Sequence, residues 1–433
     1  MSDFSRRRKW IKLRNQINVP LTLNPFVFTK SFFTWVALGI VGGIVAGIYW
    51  NVIDYLMEIT GKYTLAWQVI GIMGAAGLII GLIIHFRGDP GEMEIVVNNI
   101  RFNGGRLDTR NNPSMIATSI IGIGAGSSAG PEAPMVQVIG SIGSWLAKRF
   151  RLRGEEYRSL SIAGMATGFT AMFGAPLGGS LFALEIMHHK HVVEYYQALI
   201  PSFVASGTSF IVYQLITQMG LAPVWDLPFN IDYQFVVTDF FWAMGYGAIS
   251  AILGWGIIWS FRTLKLTFKK AKMPFYIQTT LSGIILGIIA WKLPITRYFS
   301  HYELIELLHQ HWTIGILAII IIAKVFTMAL TVTSGWRGGF IIPLFFIGAA
   351  LGILLFTINP EFQHVGLAVV CCMAAVNSCV TRTPISTILL VSTLTGFGFF
   401  MPIMFASLTG FFLAPKSPLI AAQIGKEKSL MEH

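Results

Sequence analysis

Gly126-Ser127-Ser128-Ala129-Gly130-Pro131-Glu132-Ala133-Pro134-Met135-Val136-Gln137 is a Gly/Pro break that opens an apolar helix carrying Gly140 and Gly143. The break holds a single carboxylate, and between Arg110 and Lys148 that residue, Glu132, is the only ionisable one. A second break, Ser334-Gly335-Trp336-Arg337-Gly338-Gly339-Phe340-Ile341-Ile342-Pro343, opens a second apolar helix carrying Gly348 and Gly352. From Pro134 to the next helix-opening proline, Pro176, is 42 residues, and from Pro343 to Pro384 is 41. The two halves are therefore offset by 209 and 208 residues. Gly- and Pro-interrupted apolar segments at matching places in two halves point to inverted repeats with a binding site near the bilayer midplane.

The composition agrees with a membrane setting. Of 433 residues 54% are hydrophobic and 12% charged, about half the roughly 25% charge of soluble domains. That balance excludes an ordinary soluble enzyme, a disordered regulator and a disulfide-rich secreted module. Two early runs, 32–56 and 65–86, are long enough to span, since a crossing takes about 20 apolar residues. Later pieces such as 113–129, 135–146 and 176–187 are shorter, too short for about 30 Å at 1.5 Å per residue. Broken helices at membrane depth are tolerated where the freed backbone lines a cavity or is covered by protein. The expected fold is thus an all-α polytopic membrane protein. A basic N-terminal segment (1–31) precedes a first repeat (32–220) and a second (230–424), and a short tail (425–433) follows.

The net charge of +11 is segmental. Arg6, Arg7, Arg8, Lys9, Lys12, Arg14 and Lys30 face only Asp3 in the first 30 residues, and basic clusters recur at Lys148, Arg149, Arg151, Arg153, Arg158 and at Arg262, Lys265, Lys269, Lys270, Lys272. Basic loops between apolar runs mark the cytoplasmic side, so a multi-pass inner-membrane protein with both termini in the cytoplasm is expected. No folded basic domain accompanies the charge, which argues against nucleic acid as a partner. Cys371, Cys372 and Cys379 lack metal-ligand spacing and read as packing residues. His188, His189 and His191 with Glu194 read as a solvated helix end, and no cofactor is expected. Ser127 and Ser128 offer a nucleophile-like turn, but nearby apolar segments lack a histidine. An intramembrane enzyme is therefore the weakest reading.

Glu132 carries the chemistry. An unpaired carboxylate at membrane depth is costly and functional by default. A helix N-terminus attracts anions through its free amides and dipole, and a tethered carboxylate competes for that place. Protonation neutralises the competitor, which makes Glu132 a proton-dependent gate for a permeant anion. The alternative is a glutamate that merely caps its own helix. In the second break the amides of Phe340 and Ile341 face the same cavity, and Arg337 either raises the local potential or pairs with an acid, Glu132 included. Lys324 and Arg382, inside apolar runs, are expected to pair with acids or to snorkel.

Three motifs carry a resemblance. Gly130-Pro131-Glu132-Ala133-Pro134-Met135-Val136-Gln137 resembles the G-R-E-G-P-x-V-Q signature of the CLC chloride channel and transporter family. Ser334 to Pro343 is similar to its S-G-x-x-G-G-x-F-x-P signature, and Phe173-Gly174-Ala175-Pro176-Leu177-Gly178-Gly179, continuing to Glu185, is similar to its F-N-A-P-L-A-G helix. The matches fall in family order from about Gly88 to Ile420.

The resemblance implies a homodimer in the lipid bilayer, with one anion pathway per subunit built from two inverted repeats. It implies Glu132 as the gate, and Gly130, Pro131, Ala133, Gly339, Phe340 and Ile341 around the anion. The chain ends 13 residues after Ile420, so it is expected to lack the family's cytosolic nucleotide-binding domains. It also departs from the family pattern. Pro131 replaces a basic residue and Ala133 a glycine. Gly88 or Asp89 falls where the family has an anion-contacting serine, and Ile420 where it has an anion-contacting tyrosine. Exchangers carry two adjacent acids where this chain has Glu185 and Ile186, so the inner proton acid is expected to be missing. The expected function is transport of chloride or a similar small anion, passive or weakly coupled to protons, with a proton-coupled antiporter as the alternative.

Overall fold

The structure is a computed structural model and describes residues 30–187, 192–218, 233, 235–360 and 364–423. The N-terminal basic segment up to Thr29, His188, His189 and His191, and the tail 425–433 lie outside the described residues, as does the side chain of Glu194. Among the described residues there are sixteen α-helices and no strand. In the first half they are α1 (Lys30–Gly61), α2 (Ala66–Arg87), α3 (Met93–Phe102), α4 (Asn112–Ala125), α5 (Glu132–Arg149), α6 (Gly154–Phe173), α7 (Pro176–Glu185) and α8 (Val192–Thr217). In the second they are α9 (Val237–Ala271), α10 (Phe275–Lys292), α11 (Glu303–His309), α12 (Ile314–Thr333), α13 (Ile341–Ile358), α14 (Val365–Thr381), α15 (Pro384–Thr395) and α16 (Phe400–Phe412). Seven of these, α1, α2, α8, α9, α10, α12 and α13, are long and apolar enough to cross a membrane. The expected runs at 32–56 and 65–86 are α1 and α2.

The sequence dictates which helices go inside. In α6 every residue from Ser159 to Phe173 is buried, and in α14 every residue from Gly366 to Thr381. Both are rich in Ala, Gly, Ser and Thr, with no charge in those stretches; a helix apolar on all sides belongs in a core. Their hydroxyls bond back along the helix: Thr167 Oγ1 donates to the Ala163 carbonyl and Thr381 Oγ1 to the Asn377 carbonyl, each at 2.8 Å.

The packing of one half is repeated in the other. α5 lies on α6 as α13 lies on α14, and α6 touches α7 as α14 touches α15. α8 packs on α1 and α6 as α16 packs on α9 and α14. The halves meet through α2 against α10 and α7 against α15. Small residues permit these close crossings, as membrane helix interfaces require. A Cβ on Gly352 of α13 would lie 2.5 Å from the Cα of Val369 on α14. Backbone rather than a flexible side chain stands in the way, so Gly352→Leu is expected to destabilise the protein by about 1–3 kcal/mol or more. A melting temperature in detergent no lower than that of the parent would contradict this.

Candidate functional site

Two helix breaks build the site. α4 ends at Ala125, and Gly126, at φ +120°, turns the chain into 127–131 before α5 starts at Glu132. α12 ends at Thr333, and Gly335, at φ +99°, turns the chain toward the start of α13 at Ile341. Those φ values favour glycine. The breaks then join each other: the Gly130 amide donates to the Gly339 carbonyl at 2.7 Å, and the Gly339 amide donates to the Gly130 carbonyl at 2.6 Å. This antiparallel pair is the seam between the halves and sets the N-termini of α5 and α13 against one another.

The Glu132 side chain crosses the seam. It is fully buried, and Oε1 accepts from the amides of Ile341 at 2.8 Å and Ile342 at 3.3 Å. Oε2 has no hydrogen-bond partner among the described residues. The carboxylate of the first half thus sits on the free amides of the second half's helix, where the dipole favours negative charge. There is no room for a side chain on either bridging glycine: a Cβ on Gly130 would lie 2.0 Å from Glu132 Oε2, and one on Gly339 2.3 Å from Glu132 Oε1. The amides that reach the carboxylate are those of Ile341 and Ile342, one residue along from the expected pair of Phe340 and Ile341. Phe340 stands just ahead of the helix, its ring edge-on to Phe261 at 6.0 Å.

Beside the seam lies a cavity of about 320 Å³. Ala133, Pro134 and Gln137 of α5 form one wall, Gly338 and Phe340 the end nearest the seam, and Ile420 part of another wall. Arg262, Lys265 and Lys269 of α9 stand around it. Pro131 precedes α5 and is buried. Of the two candidates for the missing serine, Asp89 lines the cavity, while Gly88, at φ +86°, forms the turn after α2. Ile420 offers the cavity a hydrocarbon surface.

Arg337 does not pair with Glu132. It pairs with Asp89 through Nη2, and its Nη1 lies 3.6 Å from Glu92. Glu185 repeats in smaller form what Glu132 does: at the end of α7 it accepts from the Ile385 amide at 3.0 Å and from the Ser386 amide at 2.7 Å, at the N-terminus of α15, and from the Ser386 hydroxyl. Ile186 next to it is buried, and its carbonyl accepts from Gln423 Nε2 at 3.1 Å.

Lys324 is buried and donates to the carbonyls of Tyr298 at 2.7 Å and Thr296 at 3.1 Å. It therefore does not snorkel; it ties the 293–302 link to α12. Arg382 donates to the carbonyls of Pro415 and Lys416. One buried cation escaped the sequence reading: Arg297 donates to the carbonyls of Thr60, Tyr63 and Ala125, binding the C-terminal ends of α1 and α4. Among the described residues no cluster of three His, Cys, Asp or Glu side chains has metal-binding geometry.

The profile of the voltage-gated chloride channel family matches residues 76–415. An uncharacterized protein of Methanocaldococcus jannaschii is 26% identical over 374 residues, covering 86% of this chain and 90% of that protein. A chloride/fluoride channel protein of Pseudomonas syringae pv. tomato is 24% identical, over 84% of this chain and 80% of that one. Two solved structures share the fold. A CLC-type fluoride/proton antiporter has a TM-score of 0.81 at 20% identity, with 92% of this chain and 99% of that chain covered. A slow cyanobacterial Cl−/H+ antiporter has a TM-score of 0.80 at 18% identity, with 91% and 97% covered.

Proposed function

Because the chain belongs to the voltage-gated chloride channel family, we propose that it carries chloride or fluoride through a pathway closed by the Glu132 side chain. One observation carries this reading: the Glu132 carboxylate is seated on the amides of Ile341 and Ile342. Two convergent amides at a helix start, in a buried site where no cation among the described residues pairs with Glu132, suit a small anion that is shed as readily as it is taken up. Glu132 stands in that anion's place. Protonation removes its charge and its claim on the amides, and a passing anion then takes them.

We place the basic face, with Arg262, Lys265 and Lys269 at the mouth of the cavity, on the cytoplasmic side of an inner membrane. The termini share that side. The two repeats span 32–220 and 230–424. We further assign the protein a homodimeric state, with α7 and α15 at the interface. These two helices are packed side by side and expose Leu177 and Ile385, 58% and 57% accessible. Lipid is the competing cover for that face.

Transport is passive or weakly coupled to protons in this reading, since Ile186 is a buried hydrocarbon where a second acid would hand protons inward. Coupled antiport is the second reading. It is favoured by Glu185, whose carboxylate is held at a helix start one residue away. Proteoliposomes loaded with chloride or fluoride separate the two. An outward anion gradient is expected to drive anion efflux with little uphill proton movement; sustained proton uptake against its gradient would establish the antiporter. Failure of both anions to cross would end the anion-transport reading.

A further inference from the structure

The cavity next to Phe340 contains a cation for which the gate has no use. Arg337 lies in the turn between α12 and α13 and is 3% exposed. Its guanidinium has five N–H donors. Nη2 bonds to Asp89 Oδ1, but Nε and Nη1 have no hydrogen-bond partner among the described residues. Burying donors without acceptors is costly, and three N–H groups, one on Nε and two on Nη1, are left without a hydrogen bond among the described residues. Glu92 Oε1, at 3.6 Å from Nη1, is too far to form a hydrogen bond, and Phe261, Phe340, Leu419 and Ile420 give the same space hydrocarbon walls.

The charges here are unequal in freedom. Arg337 is fixed and dry, while the side chains of Asp89 and Glu92 are 44% and 43% exposed and half in water. Asp89 sits in a turn whose Gly88 and Gly91 have φ of +86° and +91°. Its Oδ1 also accepts from the Gly91 amide at 2.8 Å, so a carboxylate leaving Arg337 remains anchored to its own turn. The turn is fastened to the gate's helix: Gln137 Nε2 on α5 donates to the Pro90 carbonyl at 2.7 Å.

We propose that Arg337 is an anion-binding residue of the cavity and that Asp89 is a tethered carboxylate which a small monovalent anion displaces from it. The inference rests on the anion-transport reading given above and adds to it a second binding position, held by a guanidinium instead of by backbone amides. Two carboxylates then stand in for anions along one pathway, Glu132 on the amides and Asp89 on the arginine. An anion arriving from the basic mouth exchanges first with Asp89, whose partner is a full positive charge, and meets the uncharged amides afterwards.

Asp89→Asn decides the matter in the full-length protein. Asparagine keeps an oxygen for the Gly91 amide but gives up the charge that competes for Arg337. Chloride is the probe, with fluoride in parallel, in calorimetric titration of the detergent-purified protein and in half-saturation of liposome flux. Asp89→Asn is expected to tighten chloride binding by about tenfold, the scale of one lost charge-assisted competitor. Arg337→Gln is expected to weaken binding, and the double variant is expected to behave as Arg337→Gln alone. If Arg337→Gln does not fold, Glu92→Gln takes its place, with a smaller gain in affinity expected because that acid lies farther from the guanidinium. An unchanged affinity in folded Asp89→Asn, with flux of the parent intact, overturns the latch while leaving the anion-transport reading standing. A parent that neither binds nor passes chloride or fluoride removes both.

Discussion

Glu132→Gln is expected to abolish the pH dependence of anion flux. In the parent protein, flux in liposomes is expected to rise as pH falls, because protonation strips the carboxylate of the charge that holds it to Ile341 and Ile342. Charge-assisted hydrogen bonds contribute about 1.5–3 kcal/mol each, so the rise is about tenfold or more over the titration. Glutamine is neutral at every pH and keeps the shape of the protonated acid. The variant is therefore expected to show the high flux of the acid condition throughout. Glu132→Ala, with no acceptor at all, is expected to do the same. A residual acid-stimulated flux in both variants would place the proton sensor elsewhere.

The second large effect comes from a residue with no side chain. Gly339→Ala places a methyl 2.3 Å from the Glu132 Cδ and Oε1 positions. The obstacle is the end of a mobile side chain, so the carboxylate yields while the reciprocal amide–carbonyl bonds of Gly130 and Gly339 remain. The gate is then displaced without removing its acid. Flux at neutral pH is expected to rise toward the Glu132→Gln level and its pH dependence to shrink to less than half that of the parent. A parental pH profile in Gly339→Ala would show that Glu132 need not leave the amides for anions to pass. The two experiments are complementary, because one removes the charge and the other removes the seat.

Those effects trace to features of very different legibility in the sequence. The isolation of Glu132 is a one-dimensional fact: a stretch from Arg110 to Lys148 with a single ionisable residue. So is the matched spacing of the two breaks, which corresponds to the repeated packing of α5 on α6 and α13 on α14. Glycines and prolines disrupt helices locally, and local disruption is visible without a fold. Contacts between distant segments are not. Arg337 had several acids to choose from, and its partner Asp89 is 248 positions away, in the turn that follows α2. Which amides at the start of α13 meet Glu132, those of Ile341 and Ile342, is likewise a matter of how the two breaks face each other across the Gly130–Gly339 bridge. Lys324 and Arg297 look alike in sequence to any cation near an apolar run. Their carbonyl partners are supplied by chain ends that come together only when the links between helices are folded.

The seam between Gly130 and Gly339 also sets a clock. Many transporters expose a central site alternately by rocking one repeat against the other, motions that take microseconds to milliseconds. Here two reciprocal hydrogen bonds fasten the repeats together at the point where such rocking would part them. The element left free to move at that point is the Glu132 side chain, three rotatable bonds long. Side-chain rotation is intrinsically faster than domain motion, so if Glu132 is the gate proposed above, opening is expected to be paced by how seldom the carboxylate loses its charge or its hold on the amides. On the proposed reading, the slow event is the release of one carboxyl group from two amides, and no separation of the repeats at the seam is called for.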